Sequence, residues 1–171
     1  MTTIPGQIAG IPTSTYYLRA VKTSTTTQAC ESAMQGANSV DFAYECVSSP
    51  STCYASNLMS VNGGASTVIA RNDSGSVVSY TSLPMTFDAN GNAPFTLNYT
   101  DVGQVRLYAS KAAGGSLLTT LAGSSNAFIV KPYAFTVGNV IRASDSFANP
   151  GAANASGNPF MGGGDTLKTT V

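Results

Sequence analysis

The chain of 171 residues predicts an all-β fold: an immunoglobulin-like antiparallel β-sandwich of about seven strands, followed by a C-terminal partial module or arm. Three observations carry this reading. Short runs of alternating apolar and polar residues recur, while no window sustains the helical period. Turn signals built from Gly, Pro, Asn and Asp separate these runs every ten to fifteen residues or so, at roughly the spacing of a sandwich. Finally, 43% of the residues are hydrophobic and only 9% are charged. A core can therefore be buried, and the surface is left largely to Ser, Thr and Gly.

Residues 1–14 carry Pro5, Gly6, Gly10 and Pro12 and are expected to form an irregular lead-in or linker. Tyr16-Tyr17-Leu18-Arg19-Ala20-Val21-Lys22 is the first strand, left through a Thr-rich loop at 23–27. The clearest alternation sets Val40, Phe42, Tyr44 and Cys46 on one face and Asp41 and Glu45 on the other. One face belongs to the core and one to water, as in an antiparallel sheet with a wet side. Ser48-Ser49-Pro50-Ser51-Thr52 breaks that strand, and residues 58–61, 67–71 and 77–87 are its successors. Pro84 makes part of the last an edge or a bulge, because proline cannot donate to a ladder on both sides.

Asp88-Ala89-Asn90-Gly91-Asn92 has the residues of a tight turn. Asn and Gly accept positive φ, and Asp bonds its own backbone, so Asp88, Asn90 and Gly91 are read as structural. Calcium is the competing reading, but a single carboxylate would neutralise the ion poorly and the EF-hand spacing is absent. Phe95, Leu97 and Tyr99 then alternate with polar neighbours. After the turn at Asp101 and Gly103, Val105, Leu107 and Ala109 point inward, with Arg106 and Tyr108 outward. Asp101 is read as a turn carboxylate accepting backbone N–H groups, since no second acid lies within ten positions of it. Residues 114–115 open a polar loop, and 126–131 form the last strand of a main domain spanning 15–131. Beyond it, 133–141 is another strand, 144–164 is dominated by Ala, Asn, Gly, Ser and Pro, and 166–171 is a final strand. Forty residues or so are too few for a core of their own, so 132–171 is expected to begin a following module, or to be an arm.

Composition removes whole classes of function. The chain has no histidine, which excludes Ser-His-Asp and Cys-His catalysis within it and any His-ligated metal. Eight basic residues balance eight acidic ones, which argues against nucleic acid as a partner. No apolar run is long enough for a transmembrane segment, and none forms a signal-peptide core. An exported chain would thus use a signal outside this sequence. Cys30, Cys46 and Cys53 lack the CxxC pairs of a zinc site, so a structural disulfide is the better reading. Cys46 ends a strand whose preceding loop holds Cys30, so these two belong to opposite ends of the sandwich. Cys53 lies in the loop leaving that strand, at the same end as Cys46. The expected bridge is Cys46–Cys53, with Cys30 a free or inter-domain thiol. No cofactor and no enzymatic activity are expected.

Several segments together resemble a known family. They are Val21-Lys22-Thr23, Ala29-Cys30, Asp41-Phe42-Ala43-Tyr44-Glu45-Cys46 with Pro50 and Cys53, and Thr86-Phe87-Asp88-Ala89-Asn90-Gly91-Asn92-Ala93-Pro94-Phe95. Tyr99-Thr100-Asp101-Val102-Gly103-Gln104-Val105 and Ser125-Asn126-Ala127-Phe128-Ile129-Val130-Lys131-Pro132 complete the set. Over most of 10–171 the chain resembles the repeated β domains of MshQ-like proteins, associated with mannose-sensitive haemagglutinin type IV pili of Gram-negative bacteria. Gly163-Gly164-Asp165-Thr166-Leu167 looks like a degenerate start of that family's next domain. The resemblance implies an extracellular or cell-surface location. It also implies a non-enzymatic structural or adhesion module whose partners are neighbouring β domains of a longer chain, pilus components or a host glycan. Residues 99–107 are similar to the D-x-G-x-Y-x-C entry to strand F of immunoglobulin domains, with Val105 at the tyrosine position and Leu107 at the cysteine. Apolar burial is then expected where those domains carry an inter-sheet disulfide. Two other functions remain open: a carbohydrate- or receptor-binding adhesin, with Tyr54, Tyr80 and Tyr108 as contacts, and a self-assembling filament subunit using strand donation.

Overall fold

The computed structural model describes residues 3–47, 53–54, 56, 58–62, 67–73, 75–115, 117–134, 138–149, 160, 162–164 and 165–170. The described residues form no helix. The strands are β1 (Gln7–Ile8), β2 (Tyr16–Arg19), β3 (Val21–Thr23), β4 (Cys30–Ser32), β5 (Gly36–Cys46), β6 (Met59–Val61), β7 (Thr67–Val68) and β8 (Ala70–Asn72). They continue as β9 (Thr81–Phe87), β10 (Asn92–Phe95), β11 (Leu97–Tyr99), β12 (Gly103–Lys111), β13 (Leu121–Ser124), β14 (Phe128–Lys131), β15 (Gly138–Arg142) and β16 (Leu167–Thr170). The chain divides into two compact units, Met1–Tyr133 and Ala134–Val171.

In the first unit one sheet runs β1-β14-β12-β5-β8, with β13 also on β12 and β9 also on β5. The other layer is built on β10 and β11, which the kink at Thr96 separates. β2 pairs with β10, β6 pairs with β11, and β7 extends β6. Thr96 is held at the kink by Asn62, whose backbone N donates to the Thr96 carbonyl at 3.0 Å and whose Oδ1 accepts from Thr96 N at 3.1 Å. Pro94 fits inside β10 because it stands opposite Tyr17. Ala20 N donates to Gly91 O at 2.8 Å, so by ladder alternation the position opposite Tyr17 turns its missing N–H away from β2. Rings bridge the layers: Phe42 of β5 lies 6.0 Å from Phe95, and Tyr44 meets Tyr99 edge-on at 5.5 Å.

The expected alternation in β5 and β12 is present, with Val40, Phe42, Tyr44, Val105, Leu107 and Ala109 buried, and β9 alternates too, burying Leu83, Met85 and Phe87. The wet face of β5 needs correcting. Glu45 is buried at 8% exposure and Ala43 fully so, because Tyr108 from the neighbouring strand reaches Glu45 and donates its hydroxyl at 2.7 Å. A second correction concerns the strand expected from 77. Pairing starts only at Thr81, since β9 occupies the β5 edge from Gly36 to Phe42 and β8 takes the next stretch in parallel, from Ala43 to Glu45. The side chain of Asn72 pins the displaced loop instead, its Oδ1 accepting from Val78 N and Ser79 N at 3.0 Å each.

The irregular lead-in is also corrected. Ile4 is among the most buried residues, with its backbone N and O both bonded to the Asn126 amide. β1 pairs in parallel with β14, and Gly10 and Thr13 bond to Tyr99 and Leu97. Residues 4–13 therefore belong to the sandwich. Pro5, Gly6, Gly10 and Pro12 hid this, because the segment crosses from one sheet to the other within a few residues. The Thr-rich loop and Cys30 likewise belong to a hairpin, β3 against β4.

In the second unit β15 pairs antiparallel with β16. Arg142 bonds Asp145 through Nε at 3.0 Å and lies 5.3 Å over the Phe147 ring, which sits 6.4 Å from Phe160. No described residue of this unit is buried. Phe135 and Val137 of the expected strand, like Pro50 and most of the segment at 144–164 from 150 onward, lie outside the described residues.

Leu107→Ala is expected to cost about 2–5 kcal/mol in urea melts, as a large-to-small change at a fully buried site. Ile4→Ala should be of the same order, and Arg106→Ala under about 1 kcal/mol. Similar values for Leu107 and Arg106 would mean the faces of β12 are reversed.

Candidate functional site

The end of the sandwich where β5 stops gathers most of the singled-out polar residues. Cys46 and Cys53 form a disulfide with Cα atoms 6.2 Å apart, and both residues are buried. The bridge ties the last residue of β5 to the chain leading into β6. The Cys53 carbonyl accepts from Arg71 Nη2 at 2.9 Å, while Arg71 Nε donates to Asp73 at 2.8 Å. Asp101 accepts from Val102 N at 2.8 Å and from the backbone N of Tyr54, so its carboxylate holds the turn before β12 against the disulfide loop. Behind them, burial raises the pKa of Tyr44 and of Tyr99. Both phenols are thus kept protonated. Among the described residues, Arg71 Nη1 and the Tyr99 hydroxyl are buried without a partner. A guanidinium tied to a carboxylate and two neutral phenols offer no nucleophile beside a base. The chemistry of this end is that of a brace.

The turn at the opposite strand end is built on Asp88. One of its oxygens accepts from Asn90 N and Asn92 N, both at 2.8 Å. Gly91 has φ 77°, and a Cβ there would come within 2.5 Å of the Ala20 carbonyl. Only glycine fits. Gly103 also adopts a positive φ, 137°, where β12 begins. The backbone bonds lower the Asp88 pKa, that of Asn92 foremost. Among the described residues, no group of three acidic or thiol side chains could hold a metal ion.

The three candidate tyrosines do not converge on a groove. Tyr54 and Tyr80 are exposed, at 63% and 41%, but Tyr108 is partly covered and its hydroxyl is committed to Glu45. Burial and that bond raise the Tyr108 pKa. The main grooves lie elsewhere, and no aromatic residue lines them. One of about 250 Å³ runs between β2 and β13, over Leu18, Met34, Val40, Ala109 and Leu121. A second, of about 340 Å³, adjoins it at Met34 and Lys111. Sequence reasoning missed this seam because β13, with its exposed Ala-Gly-Ser run, carries no alternation. Cys30 is exposed and free.

Two facing layers, short strands and a bridge within one end define an immunoglobulin-like β-sandwich module. Residues 1–124 match the family model described as "Domain of unknown function (DUF6701), first Ig-like domain". The chain belongs to that family. Comparison with curated proteins and with solved structures found no match.

Under non-reducing conditions peptide mapping should recover Cys46 linked to Cys53. Closing so short a loop stabilises by about 2 kcal/mol in the chain-entropy model, so reduction should lower the unfolding free energy measured in urea by that order; a Cys30–Cys46 peptide would contradict the structure. The Asp88 carboxyl should titrate by NMR below the usual value of about 3.9. Its folded pKa is depressed, so its contribution to stability is complete above the unfolded value and is lost as pH falls through the folded one. Asp88→Asn should remove that loss.

Proposed function

We propose that the chain is a non-enzymatic structural or adhesion module of a bacterial surface protein, of the MshQ-like, pilus-associated kind that its sequence resembles. The observation that carries this is the buried Cys46–Cys53 bridge within an immunoglobulin-like module. Structural disulfides persist in oxidising compartments, and modules of this architecture serve as spacers and binding surfaces in cell-surface proteins. The family model supports the module, and the resemblance in β5, the Asp88 turn and β14 supports the pilus association. Such a module would act through edges and loops, in contact with neighbouring β domains.

Antibody against this chain should label intact cells of the source bacterium and fail to label a deletion strain, which should also lose pilus-dependent attachment. Confinement of the chain to the cytoplasmic fraction, or unchanged attachment, would refute the reading.

A further inference from the structure

The outer edge of the main sheet is only half covered. Over β14 it is occupied by β1, paired in parallel through Gln7–Val130 and Ile8–Lys131. That cover ends where the Asn126 amide clamps Ile4. Beyond this point, among the described residues, β13 pairs only with β12.

The ladder shows which β13 amides are open. Ser125 N donates to Leu107 O at 2.9 Å and Leu107 N donates to Ser125 Oγ at 3.0 Å, so positions 125, 123 and 121 face β12 and Ala122 and Ser124 face outward. Natural sheets guard such edges with charge, proline or a bulge. The β13 sequence, Leu-Ala-Gly-Ser, has neither charge nor proline. Directly inside the edge lies the apolar floor of the 250 Å³ groove, formed by Leu18, Met34, Val40, Ala109 and Leu121. The rim is basic. Arg19 and Lys111 line the first groove and no carboxylate does, although the acidic and basic residues of the whole chain are equal in number; Lys22, at the second groove, is paired with Glu31 at 3.3 Å.

We infer that the seam between β13 and β2 is a strand-addition site for an extended peptide segment of a partner protein that alternates apolar and acidic residues. The segment would continue along β13 the edge cover that β1 provides along β14. Its backbone would pair with the outward amides and carbonyls of Ala122 and Ser124, its apolar side chains would enter the groove, and its carboxylates would face Lys111 and Arg19. A second copy of this chain is the poorer occupant: its exposed strand β16, Leu-Lys-Thr-Thr, carries a lysine and no acid. The site stands on the geometry of the first unit and does not depend on a role in pili.

The test uses the full chain with two fluorescent octapeptides, one alternating Val with Glu and the other Val with Lys, read by anisotropy at low salt. The Glu peptide should bind at least tenfold more tightly, and it should slow hydrogen exchange at the Ala122 and Ser124 amides. Ala122→Pro removes an outward N–H without breaking the β12 ladder, and should weaken the Glu peptide at least tenfold while leaving the melt unchanged. Lys111→Glu should remove the preference between the peptides, since Arg19 then faces a single carboxylate across the groove. Equal binding of the two peptides, or protection elsewhere with none at Ala122 and Ser124, would overturn the proposal. So would peptide-free dimerisation that Ala122→Pro abolishes. The exchange pattern of the unmutated chain decides the matter even if Ala122→Pro does not fold.

Discussion

β5 is the constraint on which the sandwich depends. Its eleven residues give one edge to β12 from Asp41 to Cys46 and divide the other between β9 and β8. With both edges paired and Tyr108 reaching over its outer face, the second half of β5 is buried on both sides, which is why its burial is continuous from Phe42 to Cys46. The sharing of one edge has a local consequence. The chain between β8 and β9 cannot pair with β5, so the polar groups at its end turn to the Asn72 side chain, which serves as a substitute ladder. The buried group that gains is the Asn72 side chain, because a buried amide left without a partner costs about 1–3 kcal/mol.

The two ends of β5 are fastened by different means. At Cys46 the fastening is covalent, supported by Arg71 and by the Asp101 turn. At the other end the chain passes between sheets through the Asp88 turn, where Gly91 packs against the Ala20 carbonyl and so fixes the hairpin of β3 and β4 close to the same corner. Leu107, which stands at the cysteine position where residues 99–107 resemble the entry to strand F of immunoglobulin domains, is fully buried. Across the sheets the contact at Leu107 is thus apolar, while the covalent link lies at the sandwich's end.

Charge distribution separates the structural end from the open seam. Arg71 is neutralised by Asp73, and the Asp101 carboxylate is engaged by the backbone N–H groups of Tyr54 and Val102, so the charged groups of the disulfide end are tied up within the module. Along β13 the situation is reversed: basic side chains line the rim, and the strand edge is left unguarded among the described residues. Edge protection is uneven elsewhere too, with the exposed Pro84 lying on the outer strand β9.

The sequence by itself determined the all-β class, the faces of β12, the Asp88 turn and the pairing of Cys46 with Cys53. Each depends on local periodicity, turn chemistry or the position of a residue within its own strand, all of which are written within a few neighbouring residues. Only the tertiary structure decided that Glu45 is buried, that Ile4 belongs to the core, and that β13 leaves an edge open. Glu45 is covered by a hydroxyl 63 positions away, and Ile4 is held by an amide 122 positions away. Contacts between residues so far apart in the chain leave no period in the sequence, and the openness of an edge depends on where every other strand ends.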